Sequence, residues 1–457
     1  MAGPALACDY RYQHPSSLEG TAGGAKLRLA TCSSGDLPHP YFFEGRLRRP
    51  GRTAELLRSL IEVVQSRFYL PPAVLARILA LADPIVTGSG DLLRFEGFSA
   101  CCGVYGRVDL LPDAIEGTWY GRGTTNVDFN APMRAALARV RDSDQVGLAV
   151  GSDLVSFSRG QESVVERKVA LPVRWLKGLV EVQAYQARMT QRLDVSGFEA
   201  ARFLRSLPKG SATTSGHVAL SGRGLRLTQV AGGGAIRVGG VQRLHILDDL
   251  ARHAKTLRIY ADEQNGASAW ELVLGEARFT LVLSPDVSRG FSGEGQALAD
   301  LAGGGWKGAL PRVRASLQWE ARIEPGAVAA RCACDRETAS AALAALGARG
   351  LVGYDLAEGA YFHRELPFDM EKIDDLQPRL IDARKLVAAG GVRIERNDTA
   401  TGQVEAAVTG TDVEHLVRLG SDGDRCTCPW YAKHRTDRGP CKHILAVQIV
   451  LEDEAER

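Results

Sequence analysis

The sequence predicts a multidomain α+β protein. Its 457 residues exceed what one ordinary hydrophobic core supports, and 45% hydrophobic with 24% charged residues is typical of a folded globular chain. Helical and strand patterns occur in separate runs, and a short segment rich in cysteine and histidine lies near the end. We predict a mixed α/β segment, a β-rich α+β domain, a unit of three helices and a hairpin, and a small C-terminal unit, at residues 1–145, 146–302, 306–370 and 378–457.

The N-terminal segment combines helices with strands. Apolar residues at helical spacing and helix-starting prolines predict helices at residues 53–68, 71–81 and 132–140. Residues 92–111 are expected to form strands interrupted by glycines. The polar stretch from Tyr120 to Asn130 is either a strand and turn before the third helix or a binding loop.

Strand patterns dominate between residues 146 and 284. They predict strands at residues 148–157, 164–169, 217–229 and 235–238, and Pro172 begins a helix expected to extend to Leu193. Gly275-Glu276 separates two apolar runs, and a two-residue turn with glycine first predicts a tight hairpin.

Gly303-Gly304-Gly305 predicts a linker before the third unit. Helical patterns follow at residues 313–319, 325–330 and 335–348, and a hairpin at 351–366. This order predicts a winged-helix-like domain, a fold that commonly binds DNA through its third helix. Because Arg336 and Arg349 accompany two acids on that helix, Asp335 and Glu337, contact with a protein or packing between domains suits it equally well.

The C-terminal unit holds the firmest chemical signal in the chain, Cys426-x-Cys428 followed by Cys441-x-His443. Two β-rich runs precede the first pair, and an apolar run of partly helical spacing follows the second. Three thiols and one imidazole are the donors of a closed tetrahedral Zn²⁺ site. We therefore expect zinc to join a β-hairpin to a short helix, with Cys426, Cys428, Cys441 and His443 as its ligands.

Two alternatives concern these donors. His434 competes for the fourth position, but His443 belongs to the paired C-x-H pattern and His434 does not. A disulfide is the other alternative; the first residues lack a secretory signal, and a paired thiol cluster in a cytoplasmic protein favours metal. Cys332-x-Cys334 has no C-x-H partner, so we interpret these as packing thiols.

The pattern of Cys426, Cys428, Cys441 and His443, after a hairpin and entering a helix, resembles the SWIM-type zinc finger. The resemblance implies a module that binds DNA or takes part in protein interaction, found among others in bacterial ATPase-related proteins. The stretch from Tyr120 to Asn130 is similar to one in bacterial proteins that end in this finger, and it brings no assigned chemistry.

The charge balance neither requires nor excludes nucleic acid, since 56 Lys and Arg face 54 Asp and Glu. Cations are concentrated between Arg167 and Lys209, where nine face three acids. No apolar run is long enough to span a membrane.

No catalytic motif is evident. The chain lacks a phosphate-binding P-loop, a G-x-S-x-G elbow and an H-E-x-x-H helix, and its other histidines occur singly. Four protein ligands would leave no open position on the zinc. We assign no catalytic residue, no cofactor besides zinc and no small-molecule substrate.

The sequence thus favours a cytoplasmic, zinc-binding, non-catalytic interaction protein whose partner is nucleic acid, bound through the finger and the winged-helix-like domain. The first alternative is a protein adaptor working with a bacterial ATPase system. The second is an enzyme that uses the loop from Arg122 to Asn130.

Overall fold

The structure is a computed structural model. It describes residues 17–21, 24–28, 41–66, 84–126, 131–151, 155–158, 173–210, 215–262, 266–288, 290–291, 295–302, 305–366, 377–398, 401–411, 413–420, 423–435 and 438–455. The predicted helix at 71–81, the predicted strand at 164–169 and Asp128 lie outside these residues.

The strands are β1 (Ser17–Thr21), β2 (Gly24–Arg28), β3 (Tyr41–Leu47), β4 (Ile85–Gly88), β5 (Leu93–Phe98), β6 (Val104–Leu110), β7 (Ile115–Trp119), β8 (Gly123–Asn126), β9 (Gly147–Gly151), β10 (Val155–Ser158), β11 (Thr190–Ser196), β12 (Gly216–Ser221), β13 (Gly224–Thr228), β14 (Ile236–Val238), β15 (Thr256–Ala261), β16 (Ser268–Val273), β17 (Ala277–Leu283), β18 (Val352–Asp355), β19 (Ala360–His363), β20 (Val392–Asp398), β21 (Gln403–Thr409), β22 (Glu414–Leu419) and β23 (Arg425–Cys426).

The α-helices are α1 (Pro50–Gln65), α2 (Ala131–Arg139), α3 (Val173–Gln186), α4 (Gly197–Ser206), α5 (Asp248–Ala251), α6 (Gln296–Ala302), α7 (Leu310–Ser316), α8 (Pro325–Cys332), α9 (Arg336–Ala348), α10 (Pro378–Ala388), α11 (Pro429–His434) and α12 (Lys442–Ala455). Short 3₁₀ helices cover Pro112–Ala114 and Val241–Leu247. Helices and sheets in several units confirm the predicted α+β, multidomain class.

An eight-stranded antiparallel sheet forms the centre of the N-terminal half, in the order β11-β15-β16-β17-β6-β5-β4-β8. Its strands come from both sides of residue 145, so the first two predicted domains share one sheet. The strands of the two predicted domains meet where β17 pairs with β6, from Ala277↔Leu110 to Leu283↔Val104. The predicted hairpin at Gly275 is confirmed, and its φ of +103° requires a residue without a side chain.

Helix α1 packs directly on this sheet because two glycines face it. Gly97 of β5 and Gly106 of β6 lie opposite each other in the register. A Cβ at Gly106 would lie 3.0 Å from the Leu60 side chain, and one at Gly97 would lie 2.7 Å from Val64. The missing side chains let the apolar face of α1 approach the strands.

The smaller sheets surround this centre. A four-stranded sheet has the order β10-β9-β3-β7, and a three-stranded sheet has the order β13-β12-β14. The C-terminal unit has its own antiparallel sheet, β20-β21-β22-β23.

Helices α7, α8 and α9 share one core with the hairpin β18-β19. Asp335 begins α9 as its N-cap, accepting a hydrogen bond from the Thr338 amide at 2.8 Å, as predicted. The second half of α9 is largely buried, and a side chain at Gly347 would overlap Gln183 of α3. The winged-helix-like interpretation stays a prediction, and α9 exposes chiefly its first turn.

A buried ion cluster fixes the hairpin β18-β19 to the eight-stranded sheet. Asp355 is 0% exposed and accepts hydrogen bonds from Arg94 at 2.6 Å, Arg107 at 3.0 Å and Arg278 at 2.9 Å. A second buried pair joins Arg364 to Glu96 at 2.5 Å. Asp355 belongs to the hairpin and Glu96 to the sheet, and each pairs with arginine from the other side. These ion pairs therefore fix the position of the hairpin on the sheet.

Three predicted elements are wrong in extent. The strands expected at residues 148–157 and 217–229 are each two strands, β9 with β10 and β12 with β13, and the helix near Pro172 is shorter than predicted. The helix that begins near Pro172 ends at Gln186, and Thr190–Ser196 forms the edge strand β11 paired with β15. Hydrogen bonding to β15 is available to this segment only in the folded sheet, and it overrides the local helical pattern.

No helix among the described residues is long and apolar enough to cross a membrane.

Candidate metal centre

Local structure brings the first two predicted ligands together at the end of a short strand. Cys426 ends β23, where it pairs with Val417 of β22. Cys428 is the N-cap of α11, and its sulfur accepts the Tyr431 amide at 3.4 Å. Strand β23 ends at Cys426, and Pro429 begins α11, a helix that was not predicted from the sequence. Proline suits the first helical position because its missing N–H would have no partner there.

The second pair enters from the start of α12. The Leu445 amide donates to the Cys441 carbonyl oxygen at 3.0 Å, so Cys441 lies at the beginning of this helix, as predicted. His443 follows in the first turn, and its ring contacts that of His415 with 4.5 Å between centroids. Sheet and helix therefore approach the same point from opposite sides.

The four predicted donors converge. The ligand atoms of Cys426, Cys428, Cys441 and His443 all lie within 4.8 Å of one another, and all four residues are buried. The Cys426 sulfur lies 3.8 Å from His443 Nδ1. Zinc bonds of usual length at tetrahedral angles would put sulfur and nitrogen about 3.6 Å apart. His434 is not in this group; its ring lies against Trp430, 5.0 Å between centroids.

The chemistry of the donors fits zinc. His443 directs Nδ1 to the thiols, 3.8 Å from the Cys426 sulfur, and its Nε2 is buried without a hydrogen-bond partner among the described residues. A hydrogen bond from Cys426 lowers the pKa of Cys441 to about 4, against the opposing effect of burial. The same bond raises the pKa of Cys426, and burial raises that of Cys428. Metal binding requires deprotonated thiols, so a divalent cation would replace the protons of these three.

One side chain of α10, Arg379, contacts the loop between the two ligand pairs. Arg379 donates to the carbonyl oxygens of Arg438 at 2.7 Å and Pro440 at 2.8 Å. Its guanidinium also lies over the Trp430 ring, 4.6 Å from the centroid. No local sequence pattern predicts this contact, because Arg379 lies 59 residues before Arg438 and 61 before Pro440.

The zinc-binding unit also contacts the rest of the chain. Leu445 and Ala446 of α12 share a core with Leu380 of α10, Val180 of α3 and Leu298 of α6. Gly439 lies against the Gly295 backbone, and its φ is +69°.

We predict that Gly439→Ala weakens this docking. The new Cβ would overlap the Gly295 carbonyl oxygen in addition to straining a left-handed backbone, and together these should cost about 2–3 kcal/mol. Urea unfolding of the C-terminal unit measures the loss. Gly402→Ala is the matched control, since its φ is +66° and nothing lies within 4 Å of its Cβ position. Equal losses in the two variants would contradict the contact.

Other sequence candidates do not join the cluster. Cys332 is buried at the end of α8, consistent with a packing thiol. In the stretch from Tyr120 to Asn130, residues 123–126 form strand β8, and Arg122 donates to the Gln318 carbonyl oxygen at 2.7 Å. The expected cationic stretch from Arg167 to Lys209 is partly neutralised, because Arg188 pairs with Asp300 and Arg202 with Glu199.

Comparison with known proteins supports the C-terminal assignment. Residues 415–451 match the SWIM zinc finger family, so this segment is a zinc-binding SWIM module. No curated protein matches the chain. A crystal structure of Proliferating Cellular Nuclear Antigen from Entamoeba histolytica is similar to 54% of this chain and 99% of that chain, with 9% identity and a TM-score of 0.37, which supports no inference here.

Proposed function

We propose that this chain is a cytoplasmic, zinc-stabilised, non-catalytic interaction protein whose SWIM module binds the phosphate backbone of nucleic acid. Cys426, Cys428, Cys441 and His443 are its zinc ligands in this proposal. With four protein ligands, three of them thiolates, the ion is a structural element and offers no site for a substrate.

Exposed cations beside the zinc ligands carry the proposal. Arg425, Lys433 and Arg435 are exposed, and none of them has an acidic partner within the part of the chain that the structure describes. Burial raises the pKa of Tyr431, and the charges of Arg425 and Arg435 oppose this rise, so both cations lie near this side chain of α11. These cations suit a phosphate backbone, because each one that binds a phosphate releases a counterion from the nucleic acid.

The neighbouring sheet differs from this loop. On strands β20 to β22 the exposed arginines are paired with acids on the same surface, Arg393 with Glu414 at 3.2 Å and Arg418 with Glu405 at 2.9 Å. Within the described residues, the module's exposed cations without an acidic partner therefore lie at β23, where Arg425 is, and around α11, where Lys433 and Arg435 are.

The winged-helix-like unit has a different role in this proposal. Its third helix, α9, buries most of its length against α3 and its own core, which leaves little surface for a DNA groove. We assign this unit to packing, and nucleic-acid contact to the zinc loop.

Duplex DNA binding across a salt series tests the proposal. Lys433→Gln with Arg435→Gln should weaken binding and lower the slope of log K against log salt by about 2, one for each lost phosphate contact. Arg393→Gln with Arg418→Gln removes the same charge from paired positions and should change the slope less. A flat salt response of the unmodified protein, or equal effects in both variants, would contradict the proposal.

A protein adaptor, working with an ATPase system, is the alternative. Val413 and Leu416, in the same C-terminal unit, are 61% and 54% exposed. These apolar side chains are accessible to a partner protein. Capture of one discrete protein that Leu416→Ser abolishes, with DNA binding absent, would favour the adaptor.

A further inference from the structure

The region from residue 197 to residue 240 is strongly basic. Six Lys or Arg face one acid there, a local charge of +5. All six cations are exposed, at positions 202, 205, 209, 223, 226 and 237. The whole chain is nearly neutral, so this concentration of charge sets the region apart from the rest of the surface.

The three-stranded sheet β13-β12-β14 places part of this charge on one face. Val218, Leu225 and Ile236 are buried on the inner face. Because side chains alternate along a strand, the opposite face carries the residues between them. There Thr228, His217 and Arg237 lie in one row across the three strands, and Ala219 with Arg226 lies in the next.

Helix α4 extends this charge along the edge strand β13. Phe198, Arg202 and Arg205 are spaced to lie along one side of the helix. Arg202 and Glu199 lie against Gly224 at the start of β13, so helix and sheet meet there. Phe198 is 77% exposed, so its ring is accessible for stacking on a base.

We propose that this surface binds a single-stranded nucleic acid, with Arg226 and Arg237 at phosphates and Phe198 stacked on a base. Cations along a strand path together with an exposed aromatic ring are the components of single-strand binding. The outer face of the sheet carries polar and small side chains, and the exposed apolar residues of this region, Phe198, Leu220 and Val230, lie on α4, on the other face of β12 and beyond the end of β13. This surface is separate from the zinc loop and does not depend on it.

Fluorescence anisotropy with a single-stranded oligonucleotide, in a salt series, tests the surface in the full-length zinc-loaded protein. Arg226→Gln with Arg237→Gln should lower the salt slope by about 1.4, and Phe198→Ala should weaken binding about tenfold. Arg46→Gln with Arg48→Gln removes two exposed charges elsewhere and is the control.

The outcomes separate this surface from the zinc loop. Loss of oligonucleotide binding in the sheet and Phe198 variants, with the control unchanged, supports the proposal even if the zinc-loop variants bind normally. Weakening only in the zinc-loop variants overturns it and leaves the proposed function intact. Absence of oligonucleotide binding, or selective loss of binding to phosphatidylserine vesicles in the sheet variants, also overturns it.

Discussion

Replacing Cys441 by serine is expected to remove the stoichiometric zinc and unfold the C-terminal unit. Cys441 joins the start of α12 to the sheet strands through the shared ion, and zinc affinity in such units is also their folding energy. The apparent contribution is about 10–16 kcal/mol at neutral pH. Elemental analysis of the purified protein should show loss of one zinc per chain, and hydrogen exchange should show loss of protection in β20 to β22 and α12.

Cys332→Ser is the matched control for this experiment. Cys332 is also a buried thiol, 5% exposed, but it lies outside the donor cluster. It should retain zinc and the protection of the C-terminal unit. Retention of full zinc by Cys441→Ser, or equal zinc loss from both variants, would contradict the assigned ligand set.

The rest of the chain should stay folded without zinc. The eight-stranded sheet and α1 have a core that contains no residue of the C-terminal unit. Helices α3 and α6 are different, because they share a core with α12. We therefore expect hydrogen exchange to increase at α6 but not at β5 or β6.

The zinc donors were predictable because their signal is local. Each pair lies within three consecutive residues, so its geometry depends only on one strand end or one helix start. The contacts that dock this unit were not predictable in this way. Arg379 reaches Pro440 from α10, a helix distant in the chain that was not assigned from the sequence, and Gly439 meets Gly295 only in the folded chain.

The buried ion cluster under the hairpin β18-β19 was also not predictable from the sequence. Arg94, Arg107 and Asp109 occur on strands of ordinary appearance, and charge in a sequence usually indicates a surface position. In the structure all three are 0% exposed, since the hairpin β18-β19 covers them. A different long-range contact, the pairing of β17 with β6, joined strands from both sides of residue 145 into one sheet.

Asp355→Asn is expected to cause the largest loss of stability outside the zinc site. The substitution keeps the shape of the side chain but leaves Arg94, Arg107 and Arg278 with reduced compensation in a buried site. Removing one partner of a buried ion pair typically costs about 3–5 kcal/mol. Urea unfolding should show this loss. Glu358→Gln, in the turn of the same hairpin, removes a carboxylate that is 43% exposed and should cost about 1 kcal/mol or less.

The pH dependence tests the same ion cluster independently. Burial acts to raise the pKa of Asp355, but Arg107, Arg94 and Arg278 outweigh it and hold the pKa below its usual range. A carboxylate with a lowered pKa stabilises the fold above the unfolded pKa, near 3.9, and this stability is lost as pH falls toward the folded pKa. The free energy of unfolding of the unmodified protein should therefore fall more steeply below about pH 4 than that of Asp355→Asn. Parallel curves would show that Asp355 is not held ionised by the three arginines.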